Sequence, residues 1–335
     1  MSGHAIRQQF MKEFRRLSPH SRQIAAMIVA SYVLQVMTAI GLGYWLLQSP
    51  ISLPTGLALA VLIFFIGTRL RGFNNIVHEC CHFAFTRRRE DNVLFGSICA
   101  SLVLGSFTNY RDEHMTHHAH LGDYEKDLDL QGIRDFRLEE PLTPRTVLRH
   151  ALTPLLGLHL SHYLSVNLSA RDGDAYRVIK IGLIAAATVF LVLDPLPALL
   201  LVWVPFLWVY PTINYWTDCI DHGGLVGFGD ELESSRNFLL PKQLKVILFP
   251  RNDCYHLVHH LFPQVPSHHL DTCHRQLLTH PEYRARAAGL DDQGSVAGGK
   301  TMTAVKKLAK WTGLSRTPNP RHPAGSASAS PSSDG

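Results

Sequence analysis

From Gln23 to Thr68 the chain carries no Lys, Arg, Asp or Glu, and from Ile181 to Thr217 it carries only one, Asp194. Each stretch is too long for one membrane-crossing helix of about 20 residues and long enough for two. Each is also interrupted near its middle by proline, in "QSPISLP" at Pro50 and Pro54 and in "LDPLP" at Pro195 and Pro197, and proline ends or bends a helix because it lacks an N–H. The pattern predicts two helical hairpins, with spans over 24–47, 53–68, 178–192 and 196–210. A helix buried in a soluble core usually keeps a charged outer face; these stretches have none. The expected fold is therefore all-α and integral to a membrane, four spans in two hairpins beneath a cytosolic helical cap.

Basic residues set the expected orientation. The hairpin tips hold no Lys or Arg, whereas "RQQFMKEFRR", "RLRGF", "TRRRE" and "RDGDAYRVIK" flank the other ends, which places those ends and both termini in the cytosol. The polar start followed by a full-length apolar run reads as a first span rather than a cleavable signal. A net charge of +5 is accounted for by this flanking bias and calls for no nucleic-acid partner. Five of the six cysteines, all but Cys99, fall on the expected cytosolic side, where thiols stay reduced, so no disulfide is expected.

The expected organisation is a cytosolic segment over 1–23, a membrane domain over 24–300 and a terminal region over 301–335. The last contains "KTMTAVKKLAKW", a candidate membrane-surface helix, and a Pro/Ser/Ala/Gly tail too polar to pack. The stretch 92–110, "NVLFGSICASLVLGSFTNY", is just long enough to span. A span there would separate the histidines that precede it from those that follow, so a shared site requires it to be re-entrant or interfacial.

Of twenty histidines, eight fall in three short motifs: His78 and His82 in "HECCH", His114, His117 and His118 in "HMTHH", and His256, His259 and His260 in "HLVHH". Spacings of three and four residues place the members of each motif on one helix face, aimed at one point. His4, His20, His150, His280 and His322 are isolated and read as ordinary core or surface residues. "HECCH" also matches the H-E-x-x-H arrangement by which a zinc peptidase presents two ligands and a general base. A catalytic zinc site takes three protein ligands and an open position, which would leave two motifs unused. Two metal ions with four or five histidines each would use them all. Imidazole suits iron, zinc, copper and nickel, so ligand type does not name the metal.

In their order and flanks the motifs resemble those of the membrane fatty acid desaturases. "RDEHMTHHAHLGDYEKDLDL" is similar to that family's second histidine box with its acidic continuation, and "RNDCYHLVHHLFPQVP" to its third; "NYWTDCIDHGG" resembles the dihydrorhizobitoxine desaturase branch. The resemblance covers about residues 53–270. It implies a di-iron centre held by the eight motif histidines and by a ninth ligand before the third box, which would be His222. It further implies O2 as co-substrate, an acyl or lipid substrate or else a small metabolite, and hydroxylation as an alternative outcome. Because the haem-binding H-P-G-G motif is absent, electrons would come from a separate donor such as a ferredoxin or a cytochrome b5-type protein. A bacterial inner membrane is the expected location.

Seven acidic residues lie close in sequence to the motifs: Asp112, Glu113, Asp123, Asp127, Asp129, Asp218 and Asp221. Any of them can orient an imidazole by accepting its second N–H. An acyl substrate would need a mostly apolar tunnel between the second span, the fourth span and 92–110. A small acid would need an arginine anchor, for which Arg71, Arg111 and Arg251 are available.

Overall fold

The computed structural model describes residues 3–50, 52–227 and 230–290, so the terminal region over 301–335 lies outside the described residues. Among the described residues all regular secondary structure is helical. Helix α1 (Gly3–Phe14) is followed by α2 (Arg22–Leu47) and α3 (Leu53–Cys81), then by α4 (Arg89–Leu102) and α5 (Phe107–His120). Next come α6 (Pro144–Leu152) and α7 (Asp174–Leu193), and then α8, a continuous run over Pro195–His222. The chain closes with α9 (Lys242–Leu248), α10 (His256–Leu261), α11 (Leu270–Leu277) and α12 (Pro281–Leu290).

Among the described residues four helices, α2, α3, α7 and α8, are long and apolar enough to cross a membrane. They match the four predicted spans, but α3 and α8 run well past the expected ends at 68 and 210. The charge that appears at Arg69 does not stop α3, because the guanidinium is bonded to Gln35 and to the carbonyls of Val246 and Ile247. Both extensions carry histidines: His78 lies in the last turn of α3 and His222 in the last turn of α8. Helix α8 absorbs its internal prolines through two wide turns, Leu199–Trp203 and Pro205–Val209, in which the hydrogen bond reaches one residue further than in an α-helix. It packs closely on the first hairpin. A Cβ on Gly67 would collide with Val209, and one on Gly43 with Leu201.

The stretch over 92–110 does not run straight. Helices α4 and α5 meet at 104°. Leu104 takes a left-handed backbone (φ 57°), and the N–H of Gly105 returns to the carbonyl of Ala100 at 2.7 Å, so the last carbonyls of α4 are closed off at the bend. The N-terminus of α5 is then held by Asp172, whose two oxygens accept from the N–H groups of Phe107 (3.0 Å) and Thr108 (2.9 Å), a carboxylate at the positive end of the helix. The bend points α5 back toward the end of α3. On the other side, α1 buries Ile6, Phe10 and Phe14 against α10 and α11, and each such side chain contributes about 2 kcal/mol.

Candidate metal centre

The ends of α3 and α8, helix α5 and helix α10 converge, and their histidines sort into two groups. His78, His82, His114, His118 and His259 form one; His117, His222, His256 and His260 form the other, and within each group the ring nitrogens lie within 4.8 Å of one another. All nine histidines singled out in the sequence are brought together. The groups adjoin, since the His118 and His260 rings stack with centroids 4.6 Å apart.

The partition differs from the expectation that each motif addresses one point. On a helix, a residue three positions on lies about 60° to one side and a residue four positions on about 40° to the other. That divergence sends His114 and His118 to the first group and His117 to the second. In α10 the same geometry sends His256 and His260 to the second group and His259 to the first. Helices α5 and α10 thus each contribute to both groups.

Several of these imidazoles are fixed from behind. His114 Nδ1 donates to Asp129 at 2.8 Å, His117 Nδ1 to Asp127 at 2.8 Å, and His222 Nδ1 to the carbonyl of Ser234 at 2.9 Å. Each of these partners can only accept, so Nδ1 carries the proton and Nε2 presents a bare lone pair. Yet the Nε2 atoms face one another: His114 with His82 at 3.1 Å, His118 with His259 at 3.1 Å, and His222 with His256 at 2.9 Å. The buried Nε2 of His78 has no hydrogen-bond partner. Converging lone pairs and an orphaned buried nitrogen are unfavourable without a shared cation, and they fit metal ions well. His256, His259 and His260 are held well below the ordinary imidazole pKa, first by burial and then by neighbouring imidazoles. They are therefore neutral, the form that ligates metal.

The acidic candidates separate by position. Asp127 is fully buried, caps the short helix Leu128–Gln131 and accepts from His117; Asp129 accepts from His114. Asp221 lies 3.4 Å from His256 Nδ1, and Asp218 accepts from the Tyr163 hydroxyl at 2.6 Å. Asp112 is paired with Arg171 and Asp123 with Lys126, both at the surface, and Glu113 is exposed on α5. The roles of Tyr163, Ser234 and Asn237, whose amide oxygen accepts from the N–H of Val258 in α10, had no signal in the sequence. Each lies outside the motifs, 12 residues from its partner for Ser234, 21 for Asn237 and 55 for Tyr163.

The helical fold gathers nine histidines into two groups that could each hold a metal ion, at the ends of helices long and apolar enough to cross a membrane. The chain belongs to the fatty acid desaturase family, whose sequence model matches residues 52–287. It is 35% identical over 95 residues to the sn-1 oleoyl-lipid 12-desaturase of Anabaena variabilis, an alignment covering 28% of this chain and 26% of that one. It is 25% identical over 224 residues to a fatty acid desaturase of Bacillus subtilis (59% of this chain, 62% of the relative). To the dihydrorhizobitoxine desaturase of Bradyrhizobium elkanii it is 25% identical over 281 residues, which covers 74% and 76% of the two chains. The chain spans less than two thirds of the length of the first two relatives.

Proposed function

We propose that the chain is an O2-dependent membrane desaturase that holds two iron ions, one in each histidine group. The observation that carries this reading is the pair of adjoining all-nitrogen groups, five and four histidines strong. Bound iron would supply the oxidising power: a CH2–CH2 unit, O2, two electrons from a separate reduced donor protein and two protons become CH=CH and two waters.

The protein's own part is to position. His78, His82, His114, His118 and His259 would hold one ion and His117, His222, His256 and His260 the other. Asp127 and Asp129 keep His117 and His114 in the tautomer that offers Nε2, and their charge raises the basicity of those ligands. The absence of Lys and Arg from the hairpin tips and the basic opposite ends support a site and termini on the cytosolic face, and a bacterial inner membrane fits this layout. The peptidase reading needs Glu79 as a free base beside the metal, whereas Glu79 is bound by Arg251 through both oxygens.

The test is expression with a reduced-ferredoxin or cytochrome b5-type donor system and mass spectrometry of substrate pools against a His117→Ala control. A two-dalton loss that requires His117 supports a desaturase, and a sixteen-dalton gain makes the enzyme a hydroxylase.

A further inference from the structure

Beside the histidines lies a cavity of about 470 Å3. Its wall includes imidazoles of both groups, among them His78, His114, His117 and His222. A second cavity of about 500 Å3 shares Asn74, Tyr110, Glu113, Tyr163 and Tyr210 with it. Both lie where the sequence places a substrate tunnel, between α3, α8 and the bent α4–α5 segment; the second keeps apolar side chains, Val77, Ala100, Val103, Val166 and Leu168 among them, but the lining of the first, beside the histidines, is not that of an apolar tunnel. Amides of Asn74, Asn75 and Asn214, hydroxyls of Tyr110, Tyr163 and Ser161, and several carboxylates face the first space. Asn75, Asn214 and Tyr163 already have partners in the protein, but a run of methylenes would give the carboxylates nothing in place of water.

The charges are lopsided. Glu113, Asp129, Asp218, Asp221 and Asp253 line the first cavity against one guanidinium, that of Arg71. Arg71 is bound to Asp253 at 2.8 Å and to Asn214 at 3.0 Å. The other arginines available as carboxylate anchors are also committed: Arg251 to Glu79, and Arg111 to the carbonyl of Cys81 and the face of Phe83. Asp129 and Asp221 lie against histidines of the two groups, where they offset the charge of bound metal. Glu113 and Asp218 make no hydrogen bond to those histidines. Asp218 accepts from Tyr163 through Oδ2 and lines the first cavity. Oδ1 of Asp221, on a side chain 1% exposed, has no partner in the same wall.

We infer that the substrate carries a protonated amine, held by Asp218 and Glu113 a few bonds from the carbons that are dehydrogenated. The inference rests on the desaturase reading and specifies its substrate class. The amine belongs either to a small free metabolite or to a lipid headgroup. In both cases the reacting carbons lie close to the charge, because the carboxylates and the imidazoles wall one small space.

The test is calorimetric titration of purified, metal-loaded protein in nanodiscs with butylamine and with butyrate. Butylamine binds and butyrate does not, and the double substitution Asp218→Asn, Glu113→Gln weakens butylamine about tenfold or more while metal content stays the same. Glu113→Gln alone, at an exposed position, weakens it by a smaller factor and guards against misfolding of the double variant. Nanodiscs of phosphatidylethanolamine compared with phosphatidylglycerol separate the sources: competition from the former assigns a lipid headgroup, and its absence a free amine. Butyrate binding as tight as butylamine, no butylamine binding, unchanged affinity in the variants, or loss of metal from the double variant overturns the inference. Failure of the desaturase reading shows separately, as unaltered protein that contains no iron.

Discussion

Glu79 and Arg251 meet as a two-pronged ion pair, Nε to Oε1 at 2.7 Å and Nη2 to Oε2 at 2.9 Å, with side chains 7% and 11% exposed. The pair ties the histidine-bearing end of α3 to the turn before α10, where Arg251 and Asn252 both take left-handed backbone conformations. It also takes the glutamate of the H-E-x-x-H match out of reach of general-base chemistry.

Glu79→Gln therefore leaves a buried guanidinium without its counter-charge and lowers stability by about 3 kcal/mol. Metal content and part of the turnover remain. A thermal melt, metal analysis and turnover assay on the same sample check this. Total loss of turnover with full metal and an unchanged melt contradicts it.

Asp127→Asn removes the negative charge behind His117 and one of the two oxygens that accept from His117 and the N–H of Leu130, and cuts metal affinity by about 10–100-fold. Asp112→Asn, at a surface pair with Arg171, changes it by less than about twofold. Chelator competition measures both; equal effects contradict the assignment.

The contrast between these two aspartates marks how far the sequence could be read. Four spans and the eight motif histidines follow from charge-free runs and helical spacing, because those signals are local; His222 comes only from the family resemblance, and the bend only from the demand that the motifs share a site. Which carboxylate supports an imidazole does not follow: Asp112 and Asp127 are both near a motif, and only the fold buries one and exposes the other. Likewise, the separation of His117 from His114 and His118 depends on what α5 faces on either side. The spans expected to end at 68 and 210 continue as α3 and α8 until they deliver His78 and His222. Cavity polarity is assembled from residues as distant as Asn74 and Asp218, and no local pattern announces it.

Burial keeps His259 and His260 neutral in the folded, metal-free chain, while the unfolded chain protonates them near their ordinary value of 6.5. Their contribution to stability is complete above that value and falls as pH drops through it. Metal-free protein in detergent should melt several degrees lower at about pH 5.5 than at about pH 7.5. An unchanged or higher midpoint at the lower pH contradicts this.

The proposed orientation places the exposed positions Glu90 and Lys126 on the cytosolic face and Ser49 and Leu196 on the other. The native cysteines are all buried, which keeps the labelling background low. Single cysteines at Ser49 and Leu196 should react with an impermeant maleimide from outside intact cells, and those at Glu90 and Lys126 only after lysis. Opposite reactivity of Glu90 and Lys126 contradicts a shared site.

The most direct measurement is the metal content of protein purified after growth in iron-replete medium. The account predicts about two irons per chain, falling to about one in His222→Ala, which leaves three histidines in its group and spares the other group of five. Stoichiometric zinc with no iron contradicts it.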